Sequence, residues 1–309
     1  MSPRVAVVGA GLSGASCATT LLERGISVDV VECGRAPGGR MASPTLHDRR
    51  VDIGAAYFTV KEPEFEPIVE TWASRGLARD WTDTFDVFSA EGHRQTSGPM
   101  RYAAPDGLRS LVRAALPDGL RTDVALDALD ALDHDAVVLA MPDPQAARLA
   151  PDAVEWVDYE PVITVVAGWA RRCWPVSDAA FVNDDADVTT IADDGSRRGD
   201  GAAVLVVHTT AQLAGAHLET PDGAVAPVLA ALQRILNVTA EPEWTHAHRW
   251  TYAKPVATHG EDPFGLVTRG ERPLGLCGDS WCPSGAPRIE SAWLSGRRLG
   301  TALASRLGC

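Results

Sequence analysis

The first forty residues alternate between apolar runs and glycine-rich turns. Val5–Val8 is a β-branched run that predicts a short buried strand, and it leads into the segment Gly9–Gly14. Helix-forming residues over Ala15–Arg24 predict a helix, and a second apolar run over Ser27–Val31 predicts another strand. The order strand, glycine turn, helix, strand is that of the first half of a dinucleotide-binding unit.

The glycine turn carries the candidate cofactor residues Gly9, Gly11, Leu12, Ser13, Gly14 and Glu32. In the pattern G-x-G-x-x-G the first glycine allows a tight turn, the second lets the backbone approach a pyrophosphate, and the third lets the helix pack on the strand. The N–H groups of the helix start face the phosphates. Glu32 follows about 20 residues later, where a carboxylate accepts hydrogen bonds from a ribose. The pattern alone is a weak signal, and the flanking strands and acid strengthen it.

The rest of the chain alternates between sheet-like and helical patterns. Strands are predicted over 80–89, 121–124, 135–142, 162–169, 202–208, 244–250 and 274–279, and helices over 63–75, 107–116, 225–236 and from 288 onward. The strand over 135–142 is expected beside the first strand. The charged segments 183–187 and 193–200 lack the ligand spacing of a calcium loop and therefore predict solvated hairpin turns.

Composition and charge narrow the class of protein. The 309 residues are 45% apolar and 22% charged, which predicts an ordinary globular protein of about two domains. A net charge of −13 disfavours nucleic acid as a partner. No run approaches the roughly 20 apolar residues of a membrane helix, so no membrane partner is expected. Six scattered cysteines without a secretory leader predict reduced thiols and a cytoplasmic protein.

The segment Glu32–Met41 resembles the flavoprotein amine-oxidase superfamily, in which an acid, a short spacer and Gly-Gly-Arg close over the FAD pyrophosphate. The resemblance implies FAD as cofactor and adds Gly39, Arg40, Met41, Tyr57, Phe58 and Val124 to the candidate cofactor residues. Tyr57 and Phe58 belong to the segment that runs along the flavin ring in this superfamily, and Val124 to the one that holds the adenine. Physically, Arg40 offers a guanidinium for phosphate or the ribityl region. A surface salt bridge for Arg40, and core packing for the two aromatic rings, remain open.

The C-terminal segment carries a second set of candidates: Gly278, Asp279, Arg288 and Ile289. In this superfamily the Gly-Asp carboxylate binds the ribityl or pyrophosphate portion of FAD. The start of the last helix directs its dipole at the flavin, where negative charge appears on hydride uptake. The spacing of this segment, together with His248–Pro255, resembles renalase-type flavoproteins, particularly the bacterial ones.

The resemblance implies a fold and a reaction. The expected fold class is α/β and α+β, with a Rossmann-like FAD-binding domain and an inserted antiparallel-sheet substrate domain, as in p-hydroxybenzoate hydroxylase and amine oxidases. The FAD domain is expected to comprise 1–60, 96–150 and 268–309, and the substrate domain 61–95 and 151–267. The implied reaction oxidises 2- or 6-dihydro isomers of NAD(P)H by hydride transfer to flavin N5, and O2 then takes the electrons to give H2O2. The expected partners are therefore a small-molecule substrate and O2.

Two other functions stay open at this point. The first is oxidation of an amine, or oxidation or desaturation of another small molecule, by the same half-reaction. The second is a flavin-binding protein without turnover. A substrate wall of Tyr57, Trp250, Tyr252 and Lys254 is a candidate feature, and Lys254 is the one lysine placed to act near N5. Core packing for Trp250 and Tyr252, and surface exposure for Lys254, are equally compatible with the sequence.

Several other patterns carry less chemistry. Cys277 and Cys282 have the spacing of a redox dithiol, but such a pair normally follows the first nucleotide motif, so free thiols are expected. His246 and His248 share a strand face without a third ligand nearby, and no metal site is expected.

The charge balance also bears on the substrate. A dinucleotide is anionic, so a protein of charge −13 needs cations at the entrance to bind it, whereas the overall field would assist a cationic amine. The candidate entrance cations are Arg49, Arg50, Arg94 and Arg101.

Overall fold

The computed structural model describes residues 2–176 and 178–309. In chain order the strands are β1 (Arg4–Val8), β2 (Ser27–Val31), β3 (Thr45–Leu46), β4 (Arg49–Arg50), β5 (Arg79–Ser89), β6 (Gly92–Ala103), β7 (Ala136–Leu139), β8 (Tyr159–Gly168), β9 (Ala179–Val182), β10 (Val188–Asp193), β11 (Val204–Thr209), β12 (Trp244–Pro255), β13 (Gly265–Arg269) and β14 (Arg272–Leu276). The α-helices are α1 (Leu12–Leu22), α2 (Glu66–Ser74), α3 (Arg109–Ala115), α4 (Asp143–Leu149), α5 (Asp194–Arg198), α6 (Ala211–Ala216), α7 (Val225–Leu236) and α8 (Ile289–Arg306).

The smaller sheet is the nucleotide-binding sheet predicted from both ends of the chain. Its order is β13-β14-β7-β1-β2, with β14, β7, β1 and β2 parallel and β13 antiparallel at the edge. β7 pairs directly with β1, which confirms that prediction. The residues of β1 alternate between two cores. Val5 and Val7 pack on the side of α1 and α8, and Ala6 and Val8 pack on the other face.

Helices α1 and α8 pack against each other on one face of this sheet. A Cβ atom at Gly296 would lie 2.0 Å from the Ser13 carbonyl oxygen, so the close approach of the two helices requires glycine there. Because β1 and β14 are parallel, the two helices that follow them begin at the same edge of the sheet. The N- and C-terminal signatures therefore meet at one site.

The larger sheet has the order β12-β8-β11-β10-β9-β5-β6. Neighbouring strands are antiparallel except for the parallel pair β5–β9. One face packs on α6 and α7 through residues such as Val207 and Val228, and the other packs through Val206 on Val51 and Ile53. The mixed α/β fold with a Rossmann-like domain is thus the predicted fold class.

The structure differs from the sequence prediction in several segments. The strand predicted over 121–124 is absent, and only Arg121 makes an isolated bridge to Val31. Helix α7 has the predicted bounds, but strand β6 was not predicted. The prediction of solvated turns over 193–200 is wrong, because residues 194–198 form α5 and all but Ser196 are buried. The proposed boundary between residues 95 and 96 falls inside β6, and the division into the two discontinuous domains stays a prediction. In the described part of the chain, no helix has the length and apolar character required to span a bilayer.

Candidate cofactor and substrate site

The turn between β1 and α1 has the close backbone contacts of a dinucleotide-binding turn. Gly9 adopts φ +108°, and a Cβ atom there would lie 2.3 Å from the Ala140 carbonyl oxygen. A Cβ atom at Gly14 would lie 2.0 Å from the Gly9 carbonyl oxygen. A Cβ atom at Gly11, by contrast, would have no atom within 4 Å, so this glycine faces open space. The space beside Gly11 is where a pyrophosphate is expected.

The same space is bordered by uncapped N–H groups and by the second glycine segment. Helix α1 begins after Gly11 without a side-chain cap and without an acid in its first turn, so its first N–H groups are available to an anion. A Cβ atom at Gly39 would lie 3.6 Å from the Gly11 Cα atom, which places the predicted Gly-Gly-Arg segment opposite the turn. Leu12 and Met41 pack into one hydrophobic core behind this segment.

Glu32 lies at the end of β2 and is oriented by two backbone donors. Its Oε2 accepts from the Ala10 N–H at 2.8 Å and its Oε1 from the Gly34 N–H at 2.7 Å. Oε1 also accepts from the Cys33 thiol at 3.4 Å, so Oε2 is the oxygen that keeps a lone pair for a ribose hydroxyl. Val124 lies beside Glu32, but its N–H donates to the Glu32 carbonyl at 3.0 Å. An adenine contact at Val124 would therefore use its carbonyl oxygen.

Arg40 and Asp279 join the two signatures in a bidentate ion pair. The Arg40 Nη1 and Nη2 donate to Asp279 Oδ2 and Oδ1 at 2.8 and 2.6 Å, and Nη1 also donates to the Ala253 carbonyl. Asp279 raises the pKa of the Arg40 guanidinium against the opposing effect of burial. Burial, followed by the charge of Asp279, raises the pKa of the neighbouring Tyr159 phenol. The Gly278 N–H donates to the Ser295 hydroxyl on α8 at 3.2 Å, which fixes the loop that carries Asp279.

A cavity of about 550 Å³ opens at the N-terminus of α8. The residues that line it are Ala55, Tyr57, Phe58, Thr59, Val60, Lys61, Pro99, Arg101, Pro287, Arg288 and Ile289. Arg288 precedes α8, which has no side-chain cap. The N-terminal end of this helix dipole therefore borders the cavity, and a flavin at this end stays a prediction.

The aromatic pair divides between the cavity and the core. Tyr57 packs edge-on against Phe85, with ring centroids 5.3 Å apart, and the Arg101 guanidinium lies 5.5 Å from the Tyr57 ring centroid. Phe58 is 3% exposed and packs in a core cluster, stacked on Tyr102 at 5.3 Å. Both residues border the cavity, and Phe58 also packs in the hydrophobic core, which was the alternative left open by the sequence.

The other proposed wall residues do not line this cavity. Trp250 donates its indole N–H to the Ile53 carbonyl at 2.9 Å and so supports the Val51–Ala56 segment from the large sheet. The Tyr252 hydroxyl accepts a hydrogen bond from Arg148 at 2.9 Å. Lys254 is exposed on β12, where its backbone pairs with Glu160 of β8. Of the proposed wall, Tyr57 alone is among the described residues that line the cavity.

Glu290 lies next to two residues of the cavity lining, Lys61 and Ile289, and the sequence analysis did not single it out. Its side chain is buried, and Oε1 accepts the N–H groups of Lys61 and Glu62 at 2.8 and 2.7 Å. This carboxylate ties the first turn of α8 to the segment that follows Phe58. The sequence signal for this contact is an acidic residue in the first turn of a predicted helix, where a carboxylate is favoured and can accept backbone N–H groups.

A buried ion cluster on α5 also lies outside the prediction. Asp194 accepts from Arg197 at 2.6 Å and from Arg198 at 3.3 Å, and Arg198 pairs with Asp52 at 3.2 Å. Arg197 also donates to the backbone carbonyls of Asp52 and Ala56, each at 3.1 Å. Arg49 joins the cluster through Asp194 at 2.6 Å. The cluster therefore holds the segment that borders the cavity, and its partners are too distant in sequence to be read from the local pattern.

Cysteines and histidines show no further chemistry among the described residues. All six cysteines are free, and Cys277 and Cys282 are buried. Burial lowers the pKa of both His246 and His248. No group of three or more potential metal ligands is present within residues 2–176 and 178–309.

Comparisons with known proteins agree with this geometry. The model of the family described as flavin containing amine oxidoreductase matches residues 108–303, and that of the NAD(P)-binding Rossmann-like domain matches residues 7–72. Renalase of Mus musculus is 24% identical over 89% of this chain and 92% of its own length.

Solved structures show the same fold. Cyclohexylamine oxidase from Brevibacterium oxydans has a TM-score of 0.76 at 15% identity, with all of both chains covered. Putrescine oxidase bound to putrescine has a TM-score of 0.71 at 16% identity, covering 99% of this chain and 100% of the other.

The residues present fit FAD. Open space lies beside Gly11, uncapped N–H groups begin α1 and α8, and the Glu32 carboxylate keeps acceptor capacity for a ribose. The resemblance to renalase within the amine-oxidase superfamily is confirmed by the homologue and the family match. The chain belongs to the flavin-containing amine oxidoreductases and is an FAD-dependent oxidoreductase.

Proposed function

We propose that this protein is an oxidase of renalase type that acts on 2- or 6-dihydro isomers of NAD(P)H and passes the electrons to O2. The observation that carries the proposal is the charge of the cavity. Its lining includes Lys61, Arg101 and Arg288, and no acid is among the described lining residues. A positively charged cavity in a protein of net charge −13 favours an anionic substrate.

The local cations outweigh the overall charge at contact distance. At physiological ionic strength the Debye length is about 8 Å, so exposed acids elsewhere on the surface are largely screened at the cavity. A phosphate within hydrogen-bonding distance of a shielded guanidinium gains a charge-assisted hydrogen bond. The cations of the cavity lining therefore support a dinucleotide substrate despite the net negative charge of the protein.

The residues of the cavity match the remaining needs of the reaction. When bound, FAD supplies the hydride acceptor and the route for electrons to O2. The ring of Tyr57, which is only partly buried, offers flat apolar surface to a nicotinamide ring. The uncapped N-terminus of α8 stabilises negative charge that develops beside it. Hydride transfer needs a close, oriented C–H bond and no strong base, and none of the lining residues is a histidine or a carboxylate.

Amine oxidation is less well supported by the same features. A protonated amine would meet three cations in the cavity lining without a carboxylate to pair with. Lys254, the lysine proposed to act near the flavin, is exposed on β12 outside this lining. The family assignment also favours an enzyme over a flavin-binding protein without turnover.

The proposal extends to partners and compartment. We take the partners to be the dihydronicotinamide substrate and O2, without nucleic acid, because of the net charge of −13. The six free thiols are compatible with the reduced environment of the cytoplasm.

Anaerobic stopped-flow reduction tests the proposal. The FAD-loaded protein is mixed in separate experiments with 6-dihydro-NAD, 2-dihydro-NAD and a panel of primary and secondary amines. The flavin absorbance at about 450 nm is followed in each. We expect the dihydronicotinamides to bleach the flavin within seconds and the amines to leave it oxidised. Aerobic turnover should release one H2O2 for each substrate consumed. Rapid reduction by an amine, with none by the dihydronicotinamides, would assign the protein to amine oxidation instead.

A further inference from the structure

Arg101 occupies an irregular position in the wall of the cavity. Along β5 and β6, Asp80 pairs with Tyr102 and Thr82 with Arg101, but Thr84 pairs with Ser97. Between these last two pairs, one residue of β5 opposes three of β6, and these three residues, 98–100, form a bulge before Arg101. Bulges of this kind redirect the side chains beside them. Here the bulge sets Arg101 against the cavity.

The Arg101 guanidinium is buried with few protein acceptors. The residue is 6% exposed, and its Nη1 donates to the Asp83 carbonyl at 2.7 Å. Its Nε has no acceptor among the described residues. One face lies on the Phe85 ring, with Cζ 4.0 Å from the ring centroid. The Phe85 ring and the Asp83 carbonyl orient the Arg101 guanidinium but leave other N–H donors of this group free.

The other buried arginines of the described chain are satisfied differently. Arg197 and Arg198 both pair with the buried carboxylate of Asp194. No ion pair with an acid is found for Arg101 within the described residues. Burial of a cation without an anion is costly, and a ligand that brings the anion removes that cost. Arg101 therefore has the environment of a residue whose counter-ion arrives with the substrate.

We propose that Arg101 is the specificity-determining residue of this cavity and binds a phosphate of the substrate. The inference rests on the proposed function, because it names the group by which a dihydronicotinamide nucleotide is recognised. The planar guanidinium offers paired N–H donors to the oxygens of a phosphate. Phosphate-bearing dihydronicotinamides are then selected over the neutral riboside and over cationic amines.

The test compares ligands that differ only in the phosphate. The FAD-loaded wild type, Arg101→Gln, Arg101→Lys and the matched control Arg94→Gln are titrated by calorimetry with nicotinamide mononucleotide and with nicotinamide riboside. Arg94 was a candidate entrance cation in the sequence analysis, but it lies exposed on the same strand and is outside the cavity lining, so it is not part of the proposed site. Turnover of 6-dihydronicotinamide mononucleotide and of its riboside is measured in parallel.

We expect Arg101→Gln to weaken binding of the mononucleotide by about 10- to 100-fold, as for the loss of a charge-assisted hydrogen bond. Binding of the riboside should change less than about twofold, and Arg101→Lys should restore part of the phosphate preference. The loss in turnover should appear in KM more than in kcat. The Arg94→Gln control should match the wild type in every measurement.

Three outcomes would overturn the inference. Equal weakening of both ligands would make Arg101 a structural residue, and a loss of FAD affinity would place it on the cofactor. A wild-type protein that binds the mononucleotide and the riboside equally would show that the cavity makes no favourable contact with the phosphate. The calorimetric comparison is independent of turnover, so a failure to oxidise any dihydronicotinamide would reject the proposed function while the role of Arg101 is still decided.

Discussion

Gly11 and Gly14 are glycines for different physical reasons, and substitution separates them. A Cβ atom at Gly14 would lie 2.0 Å from a backbone oxygen, whereas one at Gly11 meets nothing within 4 Å. We expect Gly14→Ala to destabilise the apoprotein by about 1–3 kcal/mol, because backbone must move to accept the methyl group. Gly11→Ala should leave the apoprotein unchanged and weaken FAD binding by about tenfold or more, since the methyl group lies where a pyrophosphate approaches.

Thermal unfolding of the apoproteins and fluorescence titration with FAD measure the two effects separately. A Gly11→Ala protein that binds FAD as tightly as the wild type would show that the open space beside this residue is not the pyrophosphate site. A Gly14→Ala apoprotein of normal stability would contradict the contact with Gly9.

His208 makes a pH-dependent contribution at the scale of one residue. Its Nε2 atom is buried without an acceptor among the described residues, and burial together with the Arg197 charge lowers the pKa of the ring to about 4. The unfolded chain binds a proton near pH 6.5, so the folded protein loses stability as the pH falls from 6.5 towards 4. Above pH 6.5 the ring is neutral in both states and the contribution is constant.

We therefore expect His208→Gln to flatten the decline of the melting temperature of the holoenzyme between pH 6.5 and 4. Wild type and variant are compared by differential scanning calorimetry in matched buffers. Parallel curves for wild type and His208→Gln across this interval would contradict the assignment.

At the scale of an element, α5 depends on charges brought from elsewhere in the fold. The side chain of Asp194 is fully buried and forms ion pairs with Arg49, Arg197 and Arg198. We expect Asp194→Asn to destabilise the holoenzyme by about 3–5 kcal/mol, because two buried guanidinium groups lose their shared carboxylate. Urea unfolding followed by circular dichroism measures the change.

Asp200→Asn is the matched control for this cluster. Asp200 also pairs with Arg49, but its side chain is 49% exposed. The expected cost is below about 1 kcal/mol, as for exposed ion pairs. Similar losses in the two variants would show that burial does not determine the strength of the cluster.

Elements were predictable from the sequence where local pattern decides the structure. The apolar periodicity of Val225–Leu236 is sufficient to predict α7, and the sheet residues that pack on its apolar face do not change its bounds. Strand β6 was missed because residues 92–98 are polar or glycine and mostly exposed, so no alternation distinguishes them from a loop. Helix α5 was predicted as a solvated turn because its charges find distant partners, among them Arg49 and Asp52, about 145 residues earlier in the chain.

The candidate site divides in the same way. The glycine turn and Glu32 follow from backbone geometry that short motifs encode, and the structure places them together. The cavity wall depends on the two register shifts around Arg101, which no sequence pattern specifies. Trp250 was a candidate for the wall because it alternates along β12, but the alternation does not show what the face covers, and it covers Ile53.

At the scale of the whole molecule, the two ends of the chain meet through Arg40 and Asp279. The pair joins a segment before β3 to one after β14, and its side chains are 29% and 13% exposed. A cofactor bound at this junction stabilises the folded state by mass action, about 2.7 kcal/mol at a free concentration 100 times Kd. For a protein of 309 residues, with an unfolding entropy of about 2.1 cal/mol/K per residue, that gain corresponds to roughly 4 °C in Tm.

We expect Asp279→Asn to remove most of this FAD-dependent gain at the same FAD concentration, while the Tm of the apoprotein falls by less than about 2 °C. The reason is that Arg40 keeps the Ala253 carbonyl and partial hydration, whereas FAD loses the carboxylate expected at its ribityl end. Asp29→Asn, which removes an exposed partner of Arg4, should leave the gain unchanged. An Asp279→Asn protein with the full gain would mean that the Arg40–Asp279 pair only joins the two ends of the chain and that FAD is held by the glycine turn and Glu32.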